Sequence, residues 1–320
     1  MDNRYIFSGT AFSMIKEAKK IQEATGFKLV LGMFHPRILR GKGILIDNPN
    51  EHCFRVNRAL SHMKLVNYLV LEGFLTSPYY LRQLKDLTIY VPSREVKSHF
   101  EMVGVDVEGI IPHGIRDVML LHRKKRRKPR LLYIAWWHSF LPRKFPKWMI
   151  GSLERVKYPF ELYVLTSPDN PYHWYLSKFG EVRLEVGKLS EKEISELYKT
   201  ADFYLSFSSA EGFGVPILEA LAHSMPVIHV NANPFNEITT EKCSFRFNYR
   251  KVTFHNAGYF NAVLYEYTPQ SLANAVNRAL EIYHNDFETY LGYCQEAYNR
   301  ACDFLYENTY VKWIDVLERL

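Results

Sequence analysis

The chain has 320 residues, of which 47% are hydrophobic and 23% are charged. This apolar content is sufficient for a buried core and excludes the disordered, collagen-like and low-complexity classes, while the length predicts about two domains. No run of roughly 18 apolar residues predicts a membrane-spanning helix and no signal-peptide pattern follows Met1, so we expect a cytoplasmic protein.

The excess of basic charge lies in one segment, residues 123–130. This basic run contains seven Lys and Arg residues, and the rest of the chain holds 34 basic and 34 acidic side chains, so the run accounts for the net charge of +7. Three hypotheses stay open for it: a solvated linker, a peripheral contact with the inner face of an anionic membrane, or a nucleic-acid contact. Because the charge is confined to one segment, no nucleic-acid partner is expected.

The pattern of Cys and His residues predicts no metal site. The four cysteines, at positions 53, 243, 294 and 302, form no Cys-x-x-Cys pair, and no His residues stand at zinc-ligand spacing from them. We therefore expect reduced structural thiols, no metal and no cofactor.

Short β-rich segments alternate with amphipathic segments, a pattern typical of parallel sheets covered by helices. Helices are predicted at 11–24, at 93–103 after the capping residue Ser93, and from the capping box of Ser190 and Glu193 through Leu197. Strands are predicted at 5–7, 29–34, 68–71, 87–91, 107–111, 131–135, 160–165, 182–186, 203–207 and 227–230.

The alternation predicts an α/β fold with two doubly wound, Rossmann-like domains facing a cleft. Residues 248–265 have no clear period and are expected to be a long loop or a small insertion, and beyond residue 268 only helical spacing recurs. The expected domains are 1–126 and 127–305, followed by a C-terminal helix at 306–320 that packs back against the first domain.

The segment 208–222, SSAEGFGVPILEALA, carries the most informative motif. It follows a predicted strand and begins a helix, and Pro216 suits the first helical turn. Gly212 and Gly214 let a ligand approach the backbone closely. The free N–H groups and the positive end of the helix dipole then favour an anion such as a diphosphate at the carboxyl edge of the sheet.

Two carboxylates accompany this motif. Glu211 lies in the loop before the helix and Glu219 lies within the helix. Each carboxylate can accept hydrogen bonds from sugar hydroxyls. The arrangement therefore suits a sugar joined to a diphosphate.

At these residues the sequence resembles the retaining glycosyltransferases of family 4, which have the two-domain GT-B fold. Two glutamates with seven residues between them, the first followed directly by Gly-Phe-Gly, are the signature of that family. The flanking segments 181–198 and 226–228 are also similar, as is 90–115, which resembles the end of the family's first domain.

The resemblance implies roles for the matching residues of the motif. Glu211 would contact hydroxyls of the donor sugar, and Glu219 would hold the ribose hydroxyls of the nucleotide. The backbone amides of Gly212, Phe213 and Gly214 would also bind the donor.

The family further has an Arg and a Lys, six residues apart, that bind the donor diphosphate. Lys144 matches the lysine, whereas His138 stands at the arginine position. A neutral His in the donor site adds no fixed charge, so stabilisation of the leaving group would depend on Lys144 and the adjacent Arg143. Glu211, Lys144 and Arg143 are the predicted catalytic residues.

Three other positions depart from the family pattern. A glycine usual before the Pro-Val-Ile strand is Ser224, and the glycine-rich loop after the first strand is reduced to one that contains Gly9, a predicted donor contact. Many members have a His where this chain has Glu72, which would then lie on the acceptor side. The alternative for Glu72 is an ordinary carboxylate at a strand end.

The resemblance implies transfer of a hexose from a nucleotide-diphosphate sugar to an acceptor hydroxyl on a glycan, a lipid-linked molecule or a protein. It also implies that domain 1–126 is on the acceptor side and that domain 127–305 binds the nucleotide sugar. No metal is expected, because the sequence contains no Asp-x-Asp motif of the kind that holds a divalent ion in GT-A enzymes. Two alternatives stay open: a GT-B epimerase, phosphorylase or non-catalytic donor-binding homologue, and a nucleic-acid-binding protein that uses the basic run.

Overall fold

The structure is a computed structural model that describes residues 3–9, 11–31, 36–137, 141–184 and 189–320.

The chain forms two compact units. The first comprises Met1–Arg116, Gly258–Asn261 and Phe304–Leu320, and the second comprises Asp117–Ala257 and Ala262–Asp303. The division after Arg116 falls ten residues before the expected boundary at 126. The reason is that the chain from residue 117 packs within the second unit, where the amide of Met119 donates to the carbonyl of Ala222 at 2.7 Å.

The first unit contains a six-stranded parallel sheet in the order β2-β1-β3-β4-β6-β7, so the doubly wound prediction is confirmed here. Its helical segments are α1 (Phe12–Thr25), α2 (Glu51–Ala59), α3 (Pro78–Leu84), α4 (Arg94–Met102) and a 3₁₀ turn at Pro36–Ile38. Its strands are β1 (Arg4–Ser8), β2 (Lys28–Val30), β3 (Lys42–Asp47), β4 (Lys64–Leu69), β5 (Gly73–Leu75), β6 (Thr88–Val91) and β7 (Gly109–Ile110).

The second unit contains another six-stranded parallel sheet, in the order β10-β9-β8-β11-β12-β13. Its strands are β8 (Arg130–Ala135), β9 (Glu161–Thr166), β10 (Gly180–Arg183), β11 (Phe203–Leu205), β12 (Val227–Val230), β13 (Ser244–Phe247), β14 (Tyr249–Asn256) and β15 (Phe260–Tyr267), whose first two residues belong to the first unit. Its helical segments are α5 (His173–Leu176), α6 (Glu191–Thr200), α7 (Val215–Ala222), α8 (Phe235–Ile238), α9 (Pro269–Asn285), α10 (Phe287–Cys302) and 3₁₀ turns at Lys147–Met149 and Leu153–Arg155.

The predicted helix caps are present. The hydroxyl of Ser93 accepts a hydrogen bond from the amide of Val96 at 3.1 Å at the start of α4. At the start of α6, Ser190 and Glu193 make both halves of the capping box. Each cap satisfies an amide that has no partner within its helix.

Beyond residue 268 the described elements are helical, as predicted. After α9 and α10, of 17 and 16 residues, come a 3₁₀ turn at Tyr306–Asn308 and α11 (Lys312–Arg319). On α11, the Trp313 ring lies 5.1 Å from that of Tyr68 and 5.4 Å from that of Tyr90, within the apolar core of the first unit. Within the described residues, no helix combines the length and apolar character needed to cross a bilayer.

One central strand, β3, is absent from the sequence prediction. It begins at Lys42, where Gly-Lys-Gly at positions 41–43 interrupts the apolar pattern. The structure explains the glycine at 43, because a Cβ there would lie 2.9 Å from the Phe7 ring and 3.1 Å from a Leu65 methyl group on the neighbouring strands. A glycine inside a strand here marks close packing between neighbours.

The segment 248–265, expected to be a long loop or a small insertion, is built of strands. β14 and β15 are hydrogen-bonded neighbours, and Gly258 between them has a φ of +90°. Of these two expectations, the long loop is therefore wrong. The short strands β5 and β13 were not predicted, and the predicted strand ends at 32–34 and 185–186 lie outside the described residues.

The start of the basic run binds helix ends in the second unit. The guanidinium of Arg123 donates hydrogen bonds to the carbonyls of Lys199 at 3.1 Å and His223 at 2.7 Å, and also to that of Ala201. These carbonyls lie at the C-terminal ends of α6 and α7, where backbone oxygens have no partner within the helix and where the helix dipole favours a cation. Arg123 is therefore not part of a solvated linker.

Two further residues of the basic run, Lys125 and Arg126, form hydrogen bonds with residues of α9. The ammonium of Lys125 donates to the carbonyl of His284 at 2.6 Å, at the end of α9, and the amide of Arg126 donates to the Tyr283 hydroxyl at 2.8 Å. The side chains between and beyond these contacts are exposed, namely Lys124, Arg127 and Lys128. The basic run is thus attached to the second unit through Arg123, Lys125 and the amide of Arg126.

Replacing Arg123 with Ala is expected to destabilise the protein by about 2 kcal/mol, because charged hydrogen bonds to carbonyls at two helix ends are lost together. The matched control is Arg127→Ala, an exposed residue of the same run, for which we expect a change within roughly 0.5 kcal/mol. Urea denaturation at pH 7 measures both free energies of unfolding. Equal values for the two variants would show that Arg123 contributes no more than a solvated charge.

Candidate active site

The candidate site lies at the carboxyl edge of the second sheet, where the order of the strands reverses. β8 is central, β9 and β10 extend to one side of it, and β11 is the next strand on the other side. The loops that leave β8 and β11 are therefore neighbours. In doubly wound sheets this switch point is the usual place for a ligand.

Backbone hydrogen bonds hold these two loops together. The amide of Ser209, after β11, donates to the carbonyl of Arg143, after β8, at 2.8 Å, and the Ser209 hydroxyl donates to the same carbonyl at 3.1 Å. The buried hydroxyl of Tyr133 donates to the carbonyl of Lys144 at 2.7 Å. The backbone of 143–144 is thus fixed against the loop that carries Glu211.

Three predicted catalytic residues meet in a compact ionic cluster. Glu211 Oε2 lies 3.2 Å from Arg143 Nη1, and Glu211 Oε1 forms an ion pair with the ammonium of Lys144. Ser208 Oγ donates to Glu211 Oε1 at 2.8 Å. The side chains of Glu211, Arg143 and Lys144 are only 10%, 11% and 15% exposed.

The electrostatic environment keeps Glu211 ionised. Burial by itself raises the pKa of a carboxyl group, but the charges of Lys144 and Arg143 outweigh it here, so the pKa of Glu211 is lower than its ordinary value. Burial and the nearby Glu211 also raise the pKa of Tyr133 well above its ordinary value, so this phenol stays protonated. The cluster has two cations for one anion and therefore carries a net positive charge.

The Gly-Phe-Gly stretch forms the entry to α7. Gly212, Phe213 and Gly214 are buried, and Gly214 is the N-cap residue with a φ of +109°. This left-handed conformation favours glycine, and a Cβ at Gly214 would also lie 3.2 Å from a methyl group of Ile238. The predicted position of Pro216 in the first turn of α7 is confirmed.

Glu219 lies one turn into α7 and is held by an aromatic residue of α6. The hydroxyl of Tyr198 donates to Glu219 Oε2 at 3.1 Å. Burial and the nearby carboxylate raise the pKa of Tyr198 well above its ordinary value, so the hydroxyl remains a donor. The ring of Tyr198 stacks on that of His223 at 5.1 Å, and a ring nitrogen of His223 bonds the carbonyl of Glu219 at 2.7 Å.

Ser224 stands where the family has a glycine, and it adopts the left-handed backbone conformation that a glycine would adopt at this helix end. Ser224 has a φ of +49°, and the amide of Met225 donates back to the carbonyl of Ala220 at 3.0 Å. A side chain in this conformation costs about 1 kcal/mol. In return, Ser224 Oγ accepts a hydrogen bond from the amide of Leu121 at 2.9 Å, which glycine could not provide.

Two of the three remaining predicted residues belong to the first unit. His138 is outside the described residues. Gly9 and Glu72 belong to the first unit, where Gly9 follows β1 and the half-buried Glu72 lies between β4 and β5. A Cβ at Gly9 would lie 2.4 Å from Asp47 Oδ1, so the glycine makes room for that carboxylate.

The sequence prediction missed polar residues in both units. In the second unit they are Ser208 and Tyr198, which hold the two glutamates. In the first unit they are Asp47 and His52, which form a hydrogen-bonded pair. The sequence contains a pattern that indicates Asp47, because the apolar run Ile-Leu-Ile precedes it and Asn50 follows as a helix cap. Asp47 is missing from the prediction because β3, which it ends, is missing too.

Residues 184–291 match the family model described as glycosyl transferases group 1. This part of the chain is therefore similar to a glycosyl transferases group 1 domain. The matched residues include Glu211, the Gly-Phe-Gly stretch and Glu219, whereas Arg143 and Lys144 precede them.

Viral proteins are among the relatives similar to this chain. "Putative glycosyltransferase 48" of Sulfolobus islandicus filamentous virus (isolate Iceland/Hveragerdi) is 27% identical over 51% of this chain and 52% of its own length. "Putative glycosyltransferase ORF315" of Acidianus bottle-shaped virus (isolate Italy/Pozzuoli) is 23% identical over 68% of this chain and 64% of its own length. The chain thus spans less than two thirds of the length of these relatives.

Two solved structures are similar to this chain over nearly its whole length. HepE of Anabaena in complex with UDP-glucose has a TM-score of 0.69 at 13% identity, covering 99% of this chain and 100% of that one. A glycosyltransferase from Rickettsia africae has a TM-score of 0.67 at 13% identity, covering 98% and 89%. The fold is GT-B.

Proposed function

We propose that this protein is a retaining glycosyltransferase of family 4 that transfers a hexose from a nucleotide-diphosphate sugar to an acceptor hydroxyl. The observation that carries the proposal is the cluster of Arg143, Lys144 and Glu211 at the switch point of the second sheet, beside the start of α7. An anionic ligand there meets two cations and the positive end of a helix dipole.

The difficult step of such a transfer is departure of the diphosphate. Negative charge develops on the leaving oxygen while positive charge develops on the sugar ring, and preorganised cations that stabilise this charge supply much of the rate. In our proposal Lys144 and Arg143 stabilise the leaving diphosphate. Glu211 holds both cations in place before the donor binds and then accepts hydrogen bonds from hydroxyls of the sugar.

Glu219 would bind the nucleotide part of the donor. Its carboxylate is fixed by the hydroxyl of Tyr198, so it can accept hydrogen bonds from ribose hydroxyls without first being ordered. HepE of Anabaena, which has the same fold, was crystallised with UDP-glucose, which supports UDP-hexoses as the first donors to test. The transfer would need no metal ion, and its rate should be unchanged by EDTA.

Thermal unfolding with UDP-hexoses and other nucleotide sugars, in the presence of EDTA, tests the proposal. We expect at least one nucleotide sugar to raise the melting temperature, since a ligand at 100 times its Kd stabilises the folded state by about 2.7 kcal/mol. Glu219→Gln should reduce this shift, because the amide replaces a charged acceptor for the ribose. The control Glu288→Gln, an exposed carboxylate on α10, should leave it unchanged. A protein that no nucleotide sugar stabilises would contradict the proposal.

A further inference from the structure

The amino edge of the second sheet, opposite the candidate active site, carries a band of basic side chains. The parallel neighbours β8, β9 and β10 begin at Arg130, Glu161 and Gly180, so the residues just before them lie at one edge. The basic run precedes β8, Lys157 precedes β9 and Lys178 precedes β10. The exposed cations of these three segments form the amino-edge patch, which comprises Lys124, Lys125, Arg127, Lys128, Lys157 and Lys178.

Contacts among the three segments bring the patch together. His284, at the end of α9, binds two of them, because its carbonyl accepts from the ammonium of Lys125 at 2.6 Å and its Nε2 donates to the carbonyl of Pro159 at 3.2 Å. The ring of Phe160, before β9, stacks on that of Phe179, before β10, with 6.1 Å between the ring centres. The six cations therefore share one edge of the second unit.

Carboxylates near the patch offset only part of its charge. Glu161 and Glu181 each lie beside an arginine outside the patch, at 3.9 and 2.7 Å, so these two acids are already paired. Asp286 and Glu288 stand at the start of α10, near Lys125. Against the six cations of the patch, these carboxylates leave the edge with a net positive charge.

An exposed tryptophan lies at the margin of the patch. Trp174, in α5, is 51% exposed, and the ammonium of Lys178 lies 4.8 Å from the centre of its ring. An exposed Trp beside Lys is typical of protein surfaces that lie at a membrane interface. There the ring enters the headgroup region and the cations attract anionic lipids.

These features fit a bilayer surface better than a nucleic acid. Single strands bind aromatic faces that stack on bases, and duplexes bind cations that follow the phosphates. Here the ammonium of Lys178 lies over the Trp174 ring. The rings of Phe160 and Phe179 stack on each other. A bilayer surface instead attracts net charge over a plane, and the potential extends about one Debye length, so scattered carboxylates do not prevent binding.

We propose that the amino-edge patch binds the surface of an anionic lipid bilayer and holds the protein there as a peripheral membrane protein. Each exposed cation near such a surface contributes about a factor of 5 to binding, so six are enough for attachment without a spanning helix. β8 and β9 have six residues each, which places the candidate active site ~20 Å away at the other edge. The inference goes beyond the proposed function and does not depend on it.

Sedimentation of the full chain with vesicles tests the proposal. The vesicles consist of phosphatidylcholine alone or with about one third phosphatidylglycerol, at about 0.1 M salt, where the Debye length is about 10 Å. The patch variant combines Lys124→Gln, Arg127→Gln and Lys128→Gln. The control variant removes the same charge from exposed residues of the second unit outside the patch, through Lys147→Gln, Lys192→Gln and Lys251→Gln.

We expect the wild type to bind the anionic vesicles and not the neutral ones. The patch variant should bind on the order of 100-fold more weakly, because three cations are lost, whereas the control variant should bind within roughly 3-fold of the wild type. Glu161→Gln removes a carboxylate from the same edge and should bind up to about 5-fold more tightly, a gain that misfolding does not produce. An unchanged melting temperature shows that the patch variant is folded.

Quenching by brominated lipids reports which edge of the second unit faces the bilayer. Trp136 is exposed to a similar extent as Trp174, but it directly follows β8 and so lies at the carboxyl edge. Quenching of tryptophan fluorescence on brominated anionic vesicles should fall in Trp174→Phe and stay unchanged in Trp136→Phe. Loss of quenching in Trp136→Phe alone would show that the opposite edge binds, and the inference would be wrong.

Other outcomes would also overturn the inference. Anionic vesicles that do not bind the wild type contradict it directly, and equal losses in the patch and control variants would show a general effect of net charge. A short DNA duplex is the competing ligand, and a wild type that binds the duplex but not the vesicles would assign the patch to nucleic acid. Nucleotide sugars should stabilise the patch variant as they do the wild type, so failure of donor binding would leave this test unaffected.

Discussion

Replacing Glu211 with Gln is expected to lower the free energy of unfolding by about 3 kcal/mol at pH 7, because the substitution removes the negative charge from between two largely buried cations. The side chain of Glu211 is only 10% exposed, so solvent weakly screens its interactions with Arg143 and Lys144. Urea denaturation measures the loss. The matched control is Glu181→Gln, which breaks an exposed pair with Arg183 and should cost less than about 1 kcal/mol.

The difference in free energy of unfolding between the wild type and Glu211→Gln depends on pH, and its direction follows from the pKa shift of Glu211. The pKa is lower in the folded protein than its ordinary value of 4.5, so the carboxylate stabilises the fold above that pH. The contribution is lost as the pH falls through the folded pKa, because Glu211 is then protonated in both states. The gap between wild type and Glu211→Gln should therefore narrow below pH 4.5. A gap that stays constant from pH 7 to pH 3 would mean that Glu211 acts through shape and not through charge.

Much of the second unit could be predicted from sequence because its signals are local. The cap at Ser190, the proline in the first turn of α7 and the glycine at 214 each report on a backbone conformation within a few residues. The convergence of Arg143 and Lys144 on Glu211 is different, since 67 residues separate Lys144 from its partner. Only the resemblance to a family connected these positions, and only the sheet order explains why their loops are neighbours.

The incorrect predictions have a common physical cause. Contacts with residues distant in the sequence determine the structure there, and the local sequence pattern does not show them. β3 escaped prediction because Gly43 accommodates Phe7 and Leu65 from neighbouring strands, a reason that is invisible in a window of sequence. The basic run suggested a solvated linker because a window shows only its charge. The helix ends that bind Arg123 lie 76 to 100 residues away.

Replacing Lys144 with Met is expected to lower kcat/KM for transfer by a factor on the order of 100 to 1,000, the usual cost of removing one preorganised group that stabilises developing charge. Met keeps much of the apolar stem but carries no charge. Lys144→Arg retains the charge and should recover part of the rate, because its planar donor group differs in reach from an ammonium. Lys147→Met, an exposed lysine three residues further along, is the matched control and should transfer as the wild type does.

A binding measurement separates loss of the charge from loss of the local structure. If Lys144 acts on the diphosphate, Lys144→Met should weaken binding of UDP by roughly 10-fold or more while uridine, which has no phosphate, binds both proteins equally. The difference between UDP and uridine should also shrink with salt in the wild type, since screening weakens attraction to a net positive cluster. Equal weakening of UDP and uridine would instead assign Lys144 to the architecture of the loop, and the leaving group would then depend on Arg143 and the start of α7.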